Sequence, residues 1–328
     1  MSSRRESTAR SPHNNAGRTA VSVTSIFGEA DDFEAALRKD GVRNLLLTRG
    51  DRFQARLTQI TLQHLRLTVA EEELPRIAFV TVPAGKALVA LPIGKRSSLV
   101  LGGIEIQAGE IATLLSGQQA HMRIDRPCRW AVVLMPSQDL FEYVGALREG
   151  GFEPLPAARQ RPAPVIIRNL RHLLVAVVRF ARGRPQLLIN CDAAHGLEQQ
   201  LLDALCVCLS TEPIETETPA AFRNRSVVVR FEKSLEADPL IRIDEISATL
   251  GVSDRMLRAC SMTHLGVVPS KYIRLRRMQL IRQLLRSEDP TTASIPEVAQ
   301  RYGFKDFGRF ARVYHSLYGE APIGRGGH

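Results

Sequence analysis

Ile243-Asp-Glu-Ile-Ser-Ala-Thr-Leu250, Gly251-Val252-Ser253 and Asp254–Leu265 form a short amphipathic stretch, a glycine turn, a polar cap and a second amphipathic stretch. Gly251 permits the tight turn, Val252 plugs the angle between two helices, and Ser253 can accept the free N–H groups opening the next helix. One such unit is a weak signal, because many helical corners share it. The pattern recurs 52 residues later as Ile295-Pro-Glu-Val-Ala-Gln-Arg-Tyr302, Gly303-Phe304-Lys305-Asp306 and Phe307–Leu317. Ile243 answers to Ile295, Glu245 to Glu297, Ile246 to Val298, Gly251 to Gly303 and Val252 to Phe304. Asp306 replaces Ser253 as the cap, one position later. Duplication inside one helical module is hard to assign to chance.

Between the two units, Pro269-Ser270-Lys271-Tyr272 opens a predicted helix running to Ser287. At ~1.5 Å per residue that helix spans roughly 27 Å. With its ends added it approaches the ~34 Å of one DNA turn. One chain could therefore set two recognition helices in successive major grooves. Charge agrees in placement: residues 223–328 hold 18 Lys and Arg against 11 Asp and Glu, and residues 1–18 hold four Arg and one Glu. The rest of the chain is balanced, so the overall charge of +10 belongs to the two ends. A basic module beside a neutral body suggests polyanion binding, or equally a solvated charged surface.

Residues from about Phe222 to Pro322 resemble the AraC/XylS family of transcription regulators. The resemblance rests on Gly266-Val-Val-Pro269-Ser-Lys-Tyr272 and Leu275-Arg276-Arg277-Met278. It rests above all on Gly303-Phe304, Phe307-Gly308-Arg309-Phe310-Ala311-Arg312, Tyr314, Leu317-Tyr318-Gly319-Glu320 and Pro322. It implies a DNA-binding domain preceded by a regulatory domain that binds a small effector or mediates dimerisation. RNA polymerase is implied as a partner if the protein activates. The chain departs from the pattern in carrying Ala259 and Ser261 where the family has Arg and then a large aromatic; Cys260 and Leu265 are the residues that could fill the gap.

The fold expected is a multidomain α and β chain. A β-rich sandwich or small barrel with packed helices precedes an all-α domain of two helix-turn-helix units joined by a linker helix. The boundaries read as a disordered basic tail (1–24), a regulatory or dimerisation domain (25–210), a linker (211–221), the double helix-turn-helix domain (222–322) and a frayed tail (323–328). In the body, Ile77–Val82, Ala87–Pro92, Ser98–Ile106 and Cys128–Met135 are apolar runs parted by Gly and Pro, as strands are. Pro164–Arg182 and Asp192–Leu209 read as helices. The stripe Leu197, Leu201, Leu205 and Leu209 either closes the core or forms a homodimer face. Acidic, Thr-rich and bracketed by prolines, Thr211–Pro219 reads as the linker.

Helix phase turns Leu257 inward and Arg255 and Arg258 outward, placing both arginines to meet guanine edges or phosphate, next to Ser253. In the second unit Phe310 and Tyr314 are expected inside, with Lys305, Phe307, Gly308, Arg309 and Arg312 outside. Gly308 would allow close backbone approach, and Phe307 could touch a thymine methyl or be buried. Lys271, Arg274 and Arg276 are assigned to phosphate, positioning the helix without reading sequence. The partner expected is double-stranded DNA, in a bacterial cytoplasm. No cofactor is called for: there is no paired-histidine metal spacing, P-loop or nucleophile elbow. A His121/Cys128 metal site and a Cys206/Cys208 redox pair are the remaining chemical candidates. The five cysteines lack framework spacing and read as reduced thiols. No stretch of about eighteen apolar residues suggests a membrane span. Two alternatives stand beside transcriptional regulation: a cupin-like enzyme carrying a helical module, and a protein-interaction module with a degenerate helix-turn-helix domain.

Overall fold

The computed structural model describes residues 20–50, 52–147, 158–184, 186, 188, 190–211, 213–286 and 294–322. Strands β1 (Val21–Phe27) and β2 (Val42–Leu47) flank helix α1 (Ala30–Leu37). They are followed by β3 (Ala55–Thr61), β4 (Arg66–Glu72), β5 (Arg76–Thr81), β6 (Lys86–Pro92), β7 (Leu99–Leu101) and β8 (Ile104–Ile106). Next come β9 (Ile111–Leu114), β10 (Gln119–Ile124), β11 (Cys128–Pro136), α2 (Ser137–Leu147), β12 (Ala158–Gln160), α3 (Pro164–Gly183), α4 (Cys191–Leu209) and β13 (Pro213–Thr216). The strands form two antiparallel sheets, one ordered β1-β3-β4-β11-β6-β9-β12-β13 and the other β2-β5-β10-β7-β8. Ser98–Ile106 is two strands, because Gly102 and Gly103 turn the chain at φ 60° and 88°.

Phe33, Leu57, Leu88, Met122 and Trp130 fill the space between the sheets. A buried ion pair lies there too. Arg76 donates to Glu72 through Nε at 2.7 Å and Nη2 at 2.8 Å, and Trp130 Nε1 donates to the same carboxylate. Saturating the carboxylate in this way is what makes a buried charge tolerable. The outer face of the larger sheet is covered by α2, α3 and α4. Leu201, Leu205 and Leu209 are wholly buried there and Leu197 packs at the margin, so the leucine stripe closes the core.

Two expected boundaries shift. The segment read as linker is largely structured: β13 pairs with β12, and α5 (Pro219–Ala237) begins two residues after it. Its prolines mislead because Pro213 opens an edge strand and Pro219 sits in the first helical turn, where neither needs its missing N–H. The expected tail 1–24 gives way to β1 at Val21, and its remainder, like 323–328, lies outside the described residues.

Helices α6 (Ile243–Leu250), α7 (Asp254–Leu265), α8 (Pro269–Arg286), α9 (Ile295–Arg301) and α10 (Phe307–Tyr318) complete the chain. They do not stand apart from the body. Alternation along the smaller sheet turns Leu45, Ala78 and Met122 inward, and Leu46 and Ile77 outward into the core of the helical module with Val228, Phe231, Leu265, Tyr272 and Met278.

Candidate nucleic-acid interface

Each recognition helix starts from a defined cap. Ser253 Oγ accepts the Met256 N–H at 3.2 Å, and Asp306 Oδ1 accepts the Arg309 N–H at 2.9 Å. Gly251 and Gly303 take φ 66° and 87° at the two turns, a region L side chains avoid. Glu245 and Glu297 both accept the backbone N–H three residues earlier, at 3.4 and 2.7 Å, so the repeat extends to the helix entries.

The phase expected for α7 is found. Leu257 is buried, while Ser253, Arg255 and Arg258 are exposed. The gap left by Ala259 and Ser261 is closed by small and polar groups. Cys260 and Leu265 join the core, and buried Ser261 Oγ donates to the Val267 carbonyl at 2.8 Å. On α10, Phe310 and Tyr314 are buried in a run of tilted rings from Phe304 to Tyr318. Lys305, Gly308, Arg309 and Arg312 are exposed. Phe307 is 39% exposed, with its ring 5.8 Å from Phe310, so its edge is available at the surface. Arg312 Nε lies 3.4 Å from the Gly308 carbonyl.

Lys271 is exposed at the start of α8, and Arg274 stacks 6.0 Å above the Phe304 ring. A cleft of about 370 Å³ between α8 and the second unit brings Ser270, Arg274, Arg277, Lys305 and Arg309 together. Four of these five side chains are cations. Arg277 also ties the module together, donating to the carbonyls of Pro239 at 2.7 Å and Ile241 at 3.2 Å.

Arg276 requires a correction. It is 8% exposed, pairs with Glu232 at 3.1 Å and donates to Gln279 at 2.7 Å. It sits on the opposite side of α8 from Arg274, turned toward Glu232 and the β-rich domain. Glu232 is the hub that sequence reading missed. It accepts from Asn44 Nδ2 at 2.7 Å and Tyr272 Oη at 2.5 Å, and lies 3.6 Å from His121. Burial alone would raise its pKa, but His121, Arg276 and Tyr272 hold it below the usual carboxylate range. Burial, with Glu232 next to it, pushes the Tyr272 phenol well up.

His121 and Cys128 are not brought together: His121 faces the helical module and Cys128 the space between the sheets. Burial pushes the Cys206 and Cys208 thiols up to about 12, which keeps them protonated and unreactive. Among the described residues, no three His, Cys, Asp or Glu stand close enough to hold a metal ion, and no helix is long and apolar enough to cross a membrane.

Residues 246–324 match the family described as a helix-turn-helix domain. The XylDLEGF operon transcriptional activator of Pseudomonas putida is 32% identical over 154 residues, 47% of this chain and 46% of that protein. A probable thc operon regulatory protein of Rhodococcus erythropolis is 34% identical over 82 residues, a quarter of each chain. The chain thus spans about half the length, or less, of these curated relatives. Among solved structures, the AraC-like transcriptional activator CuxR aligns over 79% of this chain and 94% of its own at 16% identity, with a TM-score of 0.45. Duplicated turns and capped helices agree with the helix-turn-helix domain matched over residues 246–324, in a chain similar over part of its length to curated operon regulators.

Proposed function

We propose that this protein is a sequence-specific DNA-binding transcription regulator that sets α7 and α10 in successive major grooves of one duplex. One observation carries the reading: two capped recognition helices, each with an arginine-bearing exposed face, flank a helix of 18 residues. Arg255 and Arg258 on one, and Lys305, Phe307, Gly308, Arg309 and Arg312 on the other, form the reading surface, with Ser253 at its edge. Lys271 and Arg274 hold phosphate between them. The β-rich domain is the regulatory part, the place for a small effector or a second copy of the chain. RNA polymerase is the further partner of an activator, in a bacterial cytoplasm.

Selection of binding sites from a random duplex library by the full chain, at two salt concentrations, tests this. A bipartite motif with centres ~10 base pairs apart is expected. Binding without any motif, vanishing steeply as salt rises, would leave only phosphate attraction and sink the reading.

A further inference from the structure

Tyr272, Arg276, Gln279, Arg282 and Arg286 follow one another along α8 at steps of four, three, three and four residues, and so share one helix face. That face is bonded to the β-rich domain from end to end. Tyr272 Oη lies 3.2 Å from His121 Nε2, and the Glu232 that holds Tyr272 and Arg276 also accepts from Asn44. Gln279 Nε2 donates to Glu34 at 2.7 Å and to the Leu45 carbonyl at 3.0 Å. Arg282 pairs with Glu29 and, at 3.4 Å, with Asp31; Arg286 reaches the same two carboxylates at 3.0 and 3.2 Å.

The recognition helices are seated the same way, each by its last turn. At the end of α7, Arg123 Nη1 donates to the Met262 carbonyl at 3.3 Å, and His264 lies against Gly103. At the end of α10, Gly50 lies against the Ser316 carbonyl so closely that a Cβ has no room. The Tyr318 ring lies 4.2 Å beneath the Arg282 guanidinium, which also bonds Glu320 at 3.1 Å. The opposite ends, carrying Arg255 and Arg258 on one helix and Phe307 and Arg309 on the other, project into solvent.

From this geometry we infer that the regulatory domain is a brace for DNA reading, and that Glu29, Asp31 and Glu34 are positioning residues that fix the spacing of the two recognition helices. The inference rests on the DNA-binding reading above. Docking leaves the reading surface uncovered and holds linker and recognition helices from behind, so the docked chain binds DNA as one body. The ordering cost of aligning two units is met before DNA arrives, and pre-organisation of this kind strengthens two-site binding without adding a contact to DNA.

The test uses the full chain, unchanged and with Glu29→Gln and Asp31→Asn combined, half-buried carboxylates at the start of α1 that keep their size when neutralised. Two duplexes recovered by the selection serve as probes, one with both half-sites and one with a single half-site, while hydrogen exchange follows the amides of 269–286. The expected result is faster exchange in α8, roughly tenfold weaker binding to the two-site duplex and unchanged binding to the half-site. An Asp31→Glu variant should retain two-site affinity. Unchanged or tighter two-site binding would overturn the inference, as would equal losses on both duplexes or unaltered exchange. Absence of motif-dependent binding by the unaltered chain is a separate outcome: it would remove the DNA-binding reading, and the brace with it.

Discussion

The two reading units share a pattern and differ in how they are filled. The second closes over its own aromatic residues, with Phe304, Phe310, Tyr314 and Tyr318 ring against ring. The first has Cys260, Ser261 and His264 at the corresponding depth, in a core that Leu46 and Ile77 of the smaller sheet also join. The last turn of the second unit nonetheless rests on the β-rich domain, where Gly50 lies against the Ser316 carbonyl. Duplication has produced one reader cored by aromatic rings and one cored by small and polar side chains.

The largest test of that contrast is Phe310→Ala. Deleting a fully buried ring should cost about 3–5 kcal/mol, seen as a lower unfolding midpoint with loss of the half-site read by α10. A loss below about 1 kcal/mol would mean that the second unit does not depend on its rings. Next in size is a pH effect confined to the first unit. Burial, then the charges of His121, Arg225 and Arg123, hold the His264 pKa down to about 4. This lies below its ordinary value, so the stabilising contribution is complete above pH ~6.5 and erodes as pH falls toward 4. Between pH 6.5 and 5 the loss should be roughly 2 kcal/mol, at ~1.4 kcal/mol per pKa unit. Denaturant unfolding at the two pH values measures it; a His264→Gln variant with an undiminished pH slope would assign the effect elsewhere.

Ser261→Ala removes the bond to the Val267 carbonyl and should cost about 1–2 kcal/mol, because a buried acceptor is left unpaired. The first unit shares its cap with the second. Ser253→Ala and Asp306→Ala should therefore have matching effects, each about 1 kcal/mol. A large inequality in thermal unfolding between these two variants would show that the repeat differs in its entries as well as its cores.

What could be read from the sequence was local. Caps, glycine turns and helix phase are set by neighbouring residues, so the boundaries of α6, α7 and α10 and the outward set on α7 and α10 follow from residue order alone. Arg276 was misplaced because its partner Glu232 lies 44 positions away, and the acceptor Leu45 and donor Asn44 lie farther still. Docking of the two domains had left a first trace: Ile77-Ala78-Phe79-Val80 is apolar at every position, whereas a strand facing solvent on one side alternates. The five-residue polar face of α8 was a second trace, legible only once something to cover it had been found. Pro213 and Pro219 carried information of the wrong kind, marking the start of a strand and of a helix as though both were breaks.

The shortness of the junction between the domains has its own consequence. Only Glu217 and Thr218 separate β13 from α5, and Glu217 is itself clamped to Arg225 at 2.5 and 2.7 Å. A tether of two residues keeps each domain at an effective concentration in the millimolar range around the other. An interface too weak to hold two separate molecules together is then mostly closed within one chain. Lengthening the junction with Gly and Ser would dilute each domain relative to its partner, giving a graded control over coupling without altering any residue of the interface.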